Sequence, residues 1–328
     1  MTANDAGDTM PKPMFETTAL VGTGVIGRSW SRVFVRGGCR VRLYDPDPEQ
    51  AKRALRWFHE DVALDVREGF VTKDDEALWR NRVTAHGDLR EALTGAGYVQ
   101  ESGPERLDRK RAIYQAMDAA AEPDAILASS TSALDVNEFA DGVEGGGWRC
   151  ITAHPVNPPH IVPLVEVQSS RVTKPEVQEK TIEFLTHCGQ KPVVLKRYIN
   201  GFLLNRIQAA VVREAFHLAE SGVADAEAID SVIKDGLALR WAFIGNFGAN
   251  HLNAPEGIGQ YFGRYADAYR SMIGDLNNEP PAFEKDMMSR IAREIGMGEN
   301  EEDVKRMSQW RDRMIVRLKA LKKDHPRP

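Results

Sequence analysis

The stretch ALVGTGVIGRSW, residues 19–30, constrains the fold of this chain more than any other. A β-rich run breaks off at Gly22, and Gly22, Gly24 and Gly27 form a G-x-G-x-x-G at the start of a helical period that runs from Val25 to Arg36. Alone the pattern is weak, because an ordinary glycine turn can produce it. Here the next β-rich run, CRVRLYD, ends in Asp45, 18 positions past Gly27. An acidic residue roughly 20 positions on is what a dinucleotide-binding βαβ unit requires. Gly22 permits the tight turn, Gly24 lets backbone approach a pyrophosphate, and Gly27 lets the helix pack close to the strand. Val25 and Ile26 open the helix, whose free N–H groups would face the phosphates. Asp45 would accept hydrogen bonds from ribose hydroxyls. A 2′-phosphate there would meet a carboxylate, so NAD is favoured over NADP. Arg42 is a nearby cation, but strand alternation puts it on the opposite face from Asp45.

The same alternation continues down the chain. Further strands are expected at RVTAH (82–86), AGYVQES (96–102), DAILASS (124–130), RCITAHP (149–155), PLVEVQ (163–168) and PVVLK (192–196), with helices from Pro48, over Arg106 to Ala120, and over Lys174 to Cys188. This is the βαβ signature of a parallel sheet with crossover helices. After about Arg197 the strands stop. Asn200 reads as the N-cap of a long amphipathic helix ending at Gly222, a second helix runs from Asp225 to Gly236, and a last one spans about Val304 to Lys322. The expected architecture is α/β: a loose tail over 1–14, a Rossmann-type doubly wound sheet domain over 15–197, and an all-helical domain over 198–328. At 328 residues two domains are the natural number, with roughly 100–200 residues in each.

A net charge of -5 and a pI near 6.0 argue against a nucleic-acid partner, which would want a basic stripe. No apolar run approaches the roughly 18 residues of a membrane span, and no secretory signal opens the chain. The three cysteines are too far apart for a zinc motif and odd in number, which fits a reducing, cytoplasmic setting and no metal. Helices carrying continuous apolar stripes, as in the second domain, often supply a dimer interface, so a homodimer is expected.

One carboxylate stands out. In ITAHPVNPPHIVPLVEV (151–167) Glu166 lies in the middle of an apolar run, where burying a charge is costly without a partner. His154 stands just past the end of the preceding run, where a doubly wound sheet places its chemistry. A lone histidine is more often a satisfied loop residue. A carboxylate bonded to one imidazole nitrogen fixes the tautomer, and the pair then suits removal of a hydroxyl proton. Ser129, Ser130, Thr131 and Ser132 also follow a strand, although some of them serve equally as caps for a helix starting near Asp135. Asn205 sits in the first turn of the long helix, where its amide either finishes the helix end or holds a substrate oxygen.

In order and spacing, the glycine loop with Asp45, PERLDRK (104–110), SSTSALD (129–135), HPVNPP…PLVEV and GFLLNRI (201–207) resemble the L-3-hydroxyacyl-CoA dehydrogenase superfamily over about residues 17 to 328. HPVNPPHIVPLVEV, LALRWAFIGNF, HLNAPEG and QWRDRMIVRLKALK look most like its lambda-crystallin branch, whose enzyme form oxidises L-gulonate. The resemblance implies a catalytic set of Ser132, His154, Glu166 and Asn205. It implies cofactor positions at Gly22, Gly24, Gly27 and Asp45, with Glu105, Lys110 and Asn157 contacting or flanking NAD. The Ser132 to His154 interval is one residue longer than the family pattern, and VEGGGW (143–148) is where the extra residue would fall. A CoA thioester needs basic residues along an extended groove, whereas a sugar acid needs one cation and several hydrogen-bonding groups. Arg240 beside Trp241, followed by Asn246, Asn250 and Asn253, suits a small hydroxy acid better, although the same stretch reads equally as a domain-packing loop.

Overall fold

The computed structural model describes residues 10–143, 145–298 and 300–326. Among them eight strands form: β1 Thr17–Val21, β2 Arg40–Tyr44, β3 Val83–His86, β4 Tyr98–Glu101, β5 Ile126–Ser129, β6 Cys150–Pro155, β7 Leu164–Ser169 and β8 Lys191–Val194. They make one sheet in the order β3-β2-β1-β4-β5-β6-β7-β8. Every neighbouring pair is parallel except β6 and β7, which run antiparallel. The connecting helices are α1 Val25–Arg36, α2 Pro48–Arg67, α3 Lys73–Arg80, α4 Leu89–Leu93, α5 Leu107–Ala120, α6 Val136–Ala140 and α7 Pro175–His187. The strand order reverses between β1 and β4, so the carboxyl ends of those two strands open the crevice in which such sheets bind nucleotides.

The larger core cluster lies where α1 and α7 cover the sheet. Trp30, Phe34, Tyr98 and Phe184 are fully buried, and Phe34 and Tyr98 have ring centroids 5.1 and 4.7 Å from that of Phe184. Phe15 closes the group edge-on at 5.0 Å from Phe184, with Met10 and Met14 packed on the same cluster. The loose tail expected over 1–14 is therefore corrected for residues 10–14; residues 1–9 lie outside the described residues. The overall polarity of that stretch hid two methionines, which fill irregular gaps against aromatic rings.

The glycine loop takes the conformation its spacing requires. Gly22 has φ +87°, and a Cβ there would meet the Ser102 backbone at 2.8 Å. At Gly27 a Cβ would come within 1.9 Å of the Gly22 carbonyl oxygen, so α1 packs directly on the turn. Gly24 has nothing within 4 Å and faces open space.

The chain divides into two compact units, residues 1–203 and 204–328. The boundary falls past Arg197, where the strand pattern ends, because the turn before it is held to the sheet: Phe202 is fully buried and the Leu203 N–H bonds to Glu166 at 2.8 Å. The second unit is helical, with α8 Leu204–Glu220, α9 Ala226–Ser231, α10 Ala238–His251, α11 Ile258–Asp275, α12 Lys285–Glu294 and α13 Glu301–Asp324. Three expectations are corrected here. The helix after Asn200 starts only at Leu204, because Gly201 and Phe202 both take positive φ. The helix from Asp225, whose carboxylate does cap α9, continues past Gly236 through a π-helical turn, Val232–Leu237, into α10. The stretch from Ala238 to His251 is helix and not a loop.

In this unit the buried apolar side chains, among the described residues, are four alanines: Ala219, Ala226, Ala249 and Ala254. Phe247 and Leu252 are 76% and 70% exposed in the single chain. No helix among the described residues is long and apolar enough to cross a membrane.

The last two glycines of the loop separate packing from access. Gly27→Ala forces its Cβ against backbone and should cost about 1–3 kcal/mol, read as a lowered melting temperature of the ligand-free protein. Gly24→Ala should leave that temperature within error. Equal melting of both variants would show that the close helix–strand approach is not needed.

Candidate active site

The antiparallel step between β6 and β7 sets His154 directly opposite Glu166 in register. Side chains opposite one another in a ladder share a face of the sheet, and here they meet: His154 Nδ1 lies 2.9 Å from Glu166 Oε2. The two side chains are 5% and 2% exposed. The carboxylate can only accept, so Nδ1 donates within the pair, and in the neutral ring Nε2 is the nitrogen with the lone pair. The second oxygen, Oε1, accepts the Leu203 N–H. Both carboxylate oxygens are thus bonded, which is the condition for burying the charge.

The turn that delivers Leu203 is strained. Phe202 holds φ +49°, rare for a residue with a side chain, and is retained by burial: its ring lies 5.2 Å from the His154 ring and 6.1 Å, edge-on, from Tyr198. The Tyr198 hydroxyl donates to the Ala133 carbonyl at 2.7 Å, tying the same turn to the loop that carries Ser132. The sequence reading missed Tyr198, Phe202 and Leu203. An aromatic directly after glycine in NGFLL is a weak signal, and a backbone N–H has none.

At the β1/β4 crevice lies a cavity of about 820 Å³ walled by Val21, Tyr44, Pro104, Ala112 and Ile113. Gly22, Gly24 and Asp45 line it as expected; Gly27 is buried beneath, and Val25 and Ile26 form the first turn of α1. No side chain caps that helix, so its first amides are available to an anion. Asp45 Oδ2 accepts from the Thr23 N–H at 2.8 Å and from its hydroxyl at 3.1 Å, which fixes the carboxylate at the rim. The Arg42 guanidinium is turned away, donating to the carbonyls of Glu91 and Thr94 at 2.9 and 2.6 Å. The open face at Gly24, the uncapped helix and the fixed carboxylate fit a dinucleotide whose ribose carries free hydroxyls. Ser102, Gly103 and Arg109 also line the cavity and were not singled out from the sequence.

Behind the cavity a second buried carboxylate organises the loops. Glu101 is fully buried. It accepts from Lys110 Nζ at 2.9 Å on each oxygen, from the Ser129 hydroxyl at 2.7 Å and from the Gly103 N–H at 2.5 Å. Lys110 is 1% exposed and does not line the cavity. Of the two places expected for it, contacting or flanking the cofactor, its burial suits the second: it supports the cavity from beneath, 3.7 Å from Glu105. Glu105 accepts from the Thr131 hydroxyl and from the N–H groups of Ser132 and Ala133. Burial pushes its carboxyl up, but the Thr131 hydroxyl, the Lys110 ammonium and the two amides prevail and hold it below the usual carboxylate range. Glu105 therefore clamps the Ser132 loop. Ser132 itself is exposed, three residues past the end of β5, whose Ser129 pairs with Thr152 two residues before His154. The serines do not cap the next helix; Asp135 does, through the Asn137 N–H. Asn157 is exposed in the turn between β6 and β7. In the helical unit Asn205 occupies the first turn of α8 and Arg240 the first turn of α10.

Comparison with known proteins agrees with this geometry. Residues 17–198 match the NAD-binding domain of 3-hydroxyacyl-CoA dehydrogenase and residues 201–298 match its C-terminal domain. The chain is 37% identical to a lambda-crystallin homolog of Bos taurus, over 94% of this chain and 96% of that protein. It is 38% identical to an L-carnitine dehydrogenase of Pseudomonas sp, over 71% of each. Among solved structures it is similar to a 5-formyl-3-hydroxy-2-methylpyridine 4-carboxylic acid 5-dehydrogenase, an NAD+-dependent dismutase, with a TM-score of 0.80, 26% identity and coverage of 94% and 98%. It is also similar to the 3-hydroxybutyryl-CoA dehydrogenase of Escherichia coli, with a TM-score of 0.65 and 25% identity, over 82% of this chain and 55% of that one. The loop, the buried histidine–glutamate pair and these matches converge: the chain belongs to the 3-hydroxyacyl-CoA dehydrogenase family of NAD-dependent oxidoreductases that act on hydroxyl groups.

Proposed function

We propose that the protein oxidises a secondary alcohol of a small hydroxy acid, with L-gulonate, giving 3-dehydro-L-gulonate, as the leading substrate. The observation that carries the chemistry is the His154–Glu166 pair, buried, opposite in register and with one imidazole nitrogen left for a proton. His154 Nε2 takes the hydroxyl proton as the carbon loses hydride. Glu166 balances the imidazolium, and the Leu203 N–H keeps the carboxylate from turning. Bound NAD supplies the hydride acceptor, held by the first turn of α1 and by Asp45. Ser132 and Asn205 hold the reacting oxygen, and Asn157 flanks the cofactor. In the reverse direction His154 returns the proton.

The choice of a free acid over a CoA thioester is supported by the relatives. The TM-score of 0.80 belongs to an enzyme named for a small carboxylic acid, against 0.65 for the 3-hydroxybutyryl-CoA dehydrogenase. We place the protein in the cytoplasm, in keeping with three free, buried cysteines. We also propose a homodimer formed through the helical unit. Val211, Leu218, Ile229 and Val232 line an apolar groove of about 470 Å³ there, in a unit whose large apolar side chains are left without a core.

NAD reduction should be followed with L-gulonate, L-3-hydroxybutyrate, L-carnitine and a 3-hydroxyacyl-CoA side by side. L-gulonate should give the highest kcat/KM; preference for the thioester or carnitine would move the substrate to that branch, and turnover of none would favour a structural, crystallin-like role. His154→Gln should lower kcat at least ~100-fold, the lower end for general-base catalysis, with NAD affinity unchanged. Gly24→Ala should do the reverse, weakening NAD with little loss of kcat at saturation. Sedimentation equilibrium should give twice the 36.6 kDa chain mass; a monomer at micromolar concentration would remove the dimer.

A further inference from the structure

The helical unit contains a second cavity, of about 500 Å³, within the ~300–1,000 Å³ range of small-molecule sites. Its single cation among the lining side chains is Arg240. Among the described residues that guanidinium makes no hydrogen bond or ion pair, and its charge reaches the neighbouring Tyr269. Tyr269 also lines the space, its hydroxyl 3.1 Å from that of Tyr261. Asn246, Asn250 and Asn253 complete the polar wall, and Trp241 supplies a flat apolar one.

The backbone is bent to assemble this set. In an unbroken α-helix, residues 240 and 246 point about 120° apart, at ~100° per residue. Gly245, with φ +66° and ψ -177°, breaks α10 between them, and Arg240 and Asn246 line one cavity. After the break Asn246 and Asn250 follow at i and i+4 on one face of the helix, and Asn253 lies in the turn that follows it. Before Arg240 lies the π-helical turn, Val232–Leu237, a feature frequent at functional sites. Two irregularities thus flank one arginine.

The donor set defines the ligand. One unpaired guanidinium matches one carboxylate in a bidentate pair, whereas a phosphate dianion or the phosphates of CoA would draw several cations. Three carboxamides each offer donors and an acceptor, and two phenols add more, which suits hydroxyl groups that need both roles. We propose that this cavity binds a small polyhydroxylated carboxylate, with Arg240 as its counter-charge and Asn246, Asn250 and Asn253 reading its hydroxyls. The inference rests on the hydroxy-acid reading above and names the feature by which an acid is chosen over an uncharged polyol.

The test is isothermal titration of the full chain, with NAD present, using L-gulonate and the matching uncharged hexitol. L-gulonate should bind at least tenfold more tightly than the hexitol. Arg240→Met should abolish that preference while leaving NAD affinity and melting temperature unchanged; Arg240→Lys should restore part of it. Asn250→Leu should weaken both ligands. Arg240→Met binding L-gulonate as tightly as the parent, or a hexitol that binds equally well, overturns the proposal. Steady-state kinetics keep the two readings apart. Turnover of L-gulonate with a KM insensitive to Arg240→Met removes this site and leaves the dehydrogenase reading standing. Arg240-dependent binding without turnover removes that reading and leaves a carboxylate site.

Discussion

Glu166 is a charge inside a sheet, and the geometry of the catalytic region follows from how that charge is neutralised. A carboxylate stripped of water needs donors on both oxygens, and breaking a buried pair by removing one partner costs about 3–5 kcal/mol. The fold meets the requirement with one exception to its own topology. A parallel neighbour would have reached β6 after a crossover; reversing β7 instead lets a short turn bring Glu166 opposite His154. The imidazole so held stands at the carboxyl end of the sheet, on the same edge as the glycine loop and the Ser132 loop.

A second buried carboxylate repeats the strategy for a different purpose. Glu101 ends β4 and gathers Lys110 from α5, Ser129 from β5 and the Gly103 amide. Lys110 in turn lies beside Glu105, whose oxygen holds three donors of the loop after β5. One chain of charge-assisted bonds therefore sets both a wall of the nucleotide crevice and the backbone beside Ser132. One carboxylate orders the walls of the nucleotide crevice and the other orders the imidazole.

Much of the sheet domain is legible in the sequence because the governing rules are local. Short apolar runs between glycine-punctuated helical periods mark the strands to within a residue or two, and a carboxylate in PLVEV flags its own need of a partner. What stays hidden depends on backbone or on three dimensions. Leu203 acts through its amide, Phe202 through a torsion angle, and Arg109 through a cavity wall. Lys110 looks like a surface cation by type and proves fully enclosed, since nothing local announces Glu101 as its partner. In the helical unit periodicity finds the stripes but not the ends: Asn200 has the right chemistry for a cap, yet Gly201 and Phe202 carry the chain through positive φ first. Gly236 looks like a stop and is instead passed by a π-turn, and Gly245 breaks α10 without ending it.

The carboxylate that steadies the imidazole also grips the last peptide of the sheet domain, so the span from Tyr198 to Leu203 belongs to the histidine–glutamate pair as much as to the linker. For anyone cutting or grafting this scaffold, the modular seam lies after Leu203. A fragment ended where the strands end, near Arg197, would carry every side chain of the buried pair and still lose the amide, the ring and the hydroxyl that hold it in place.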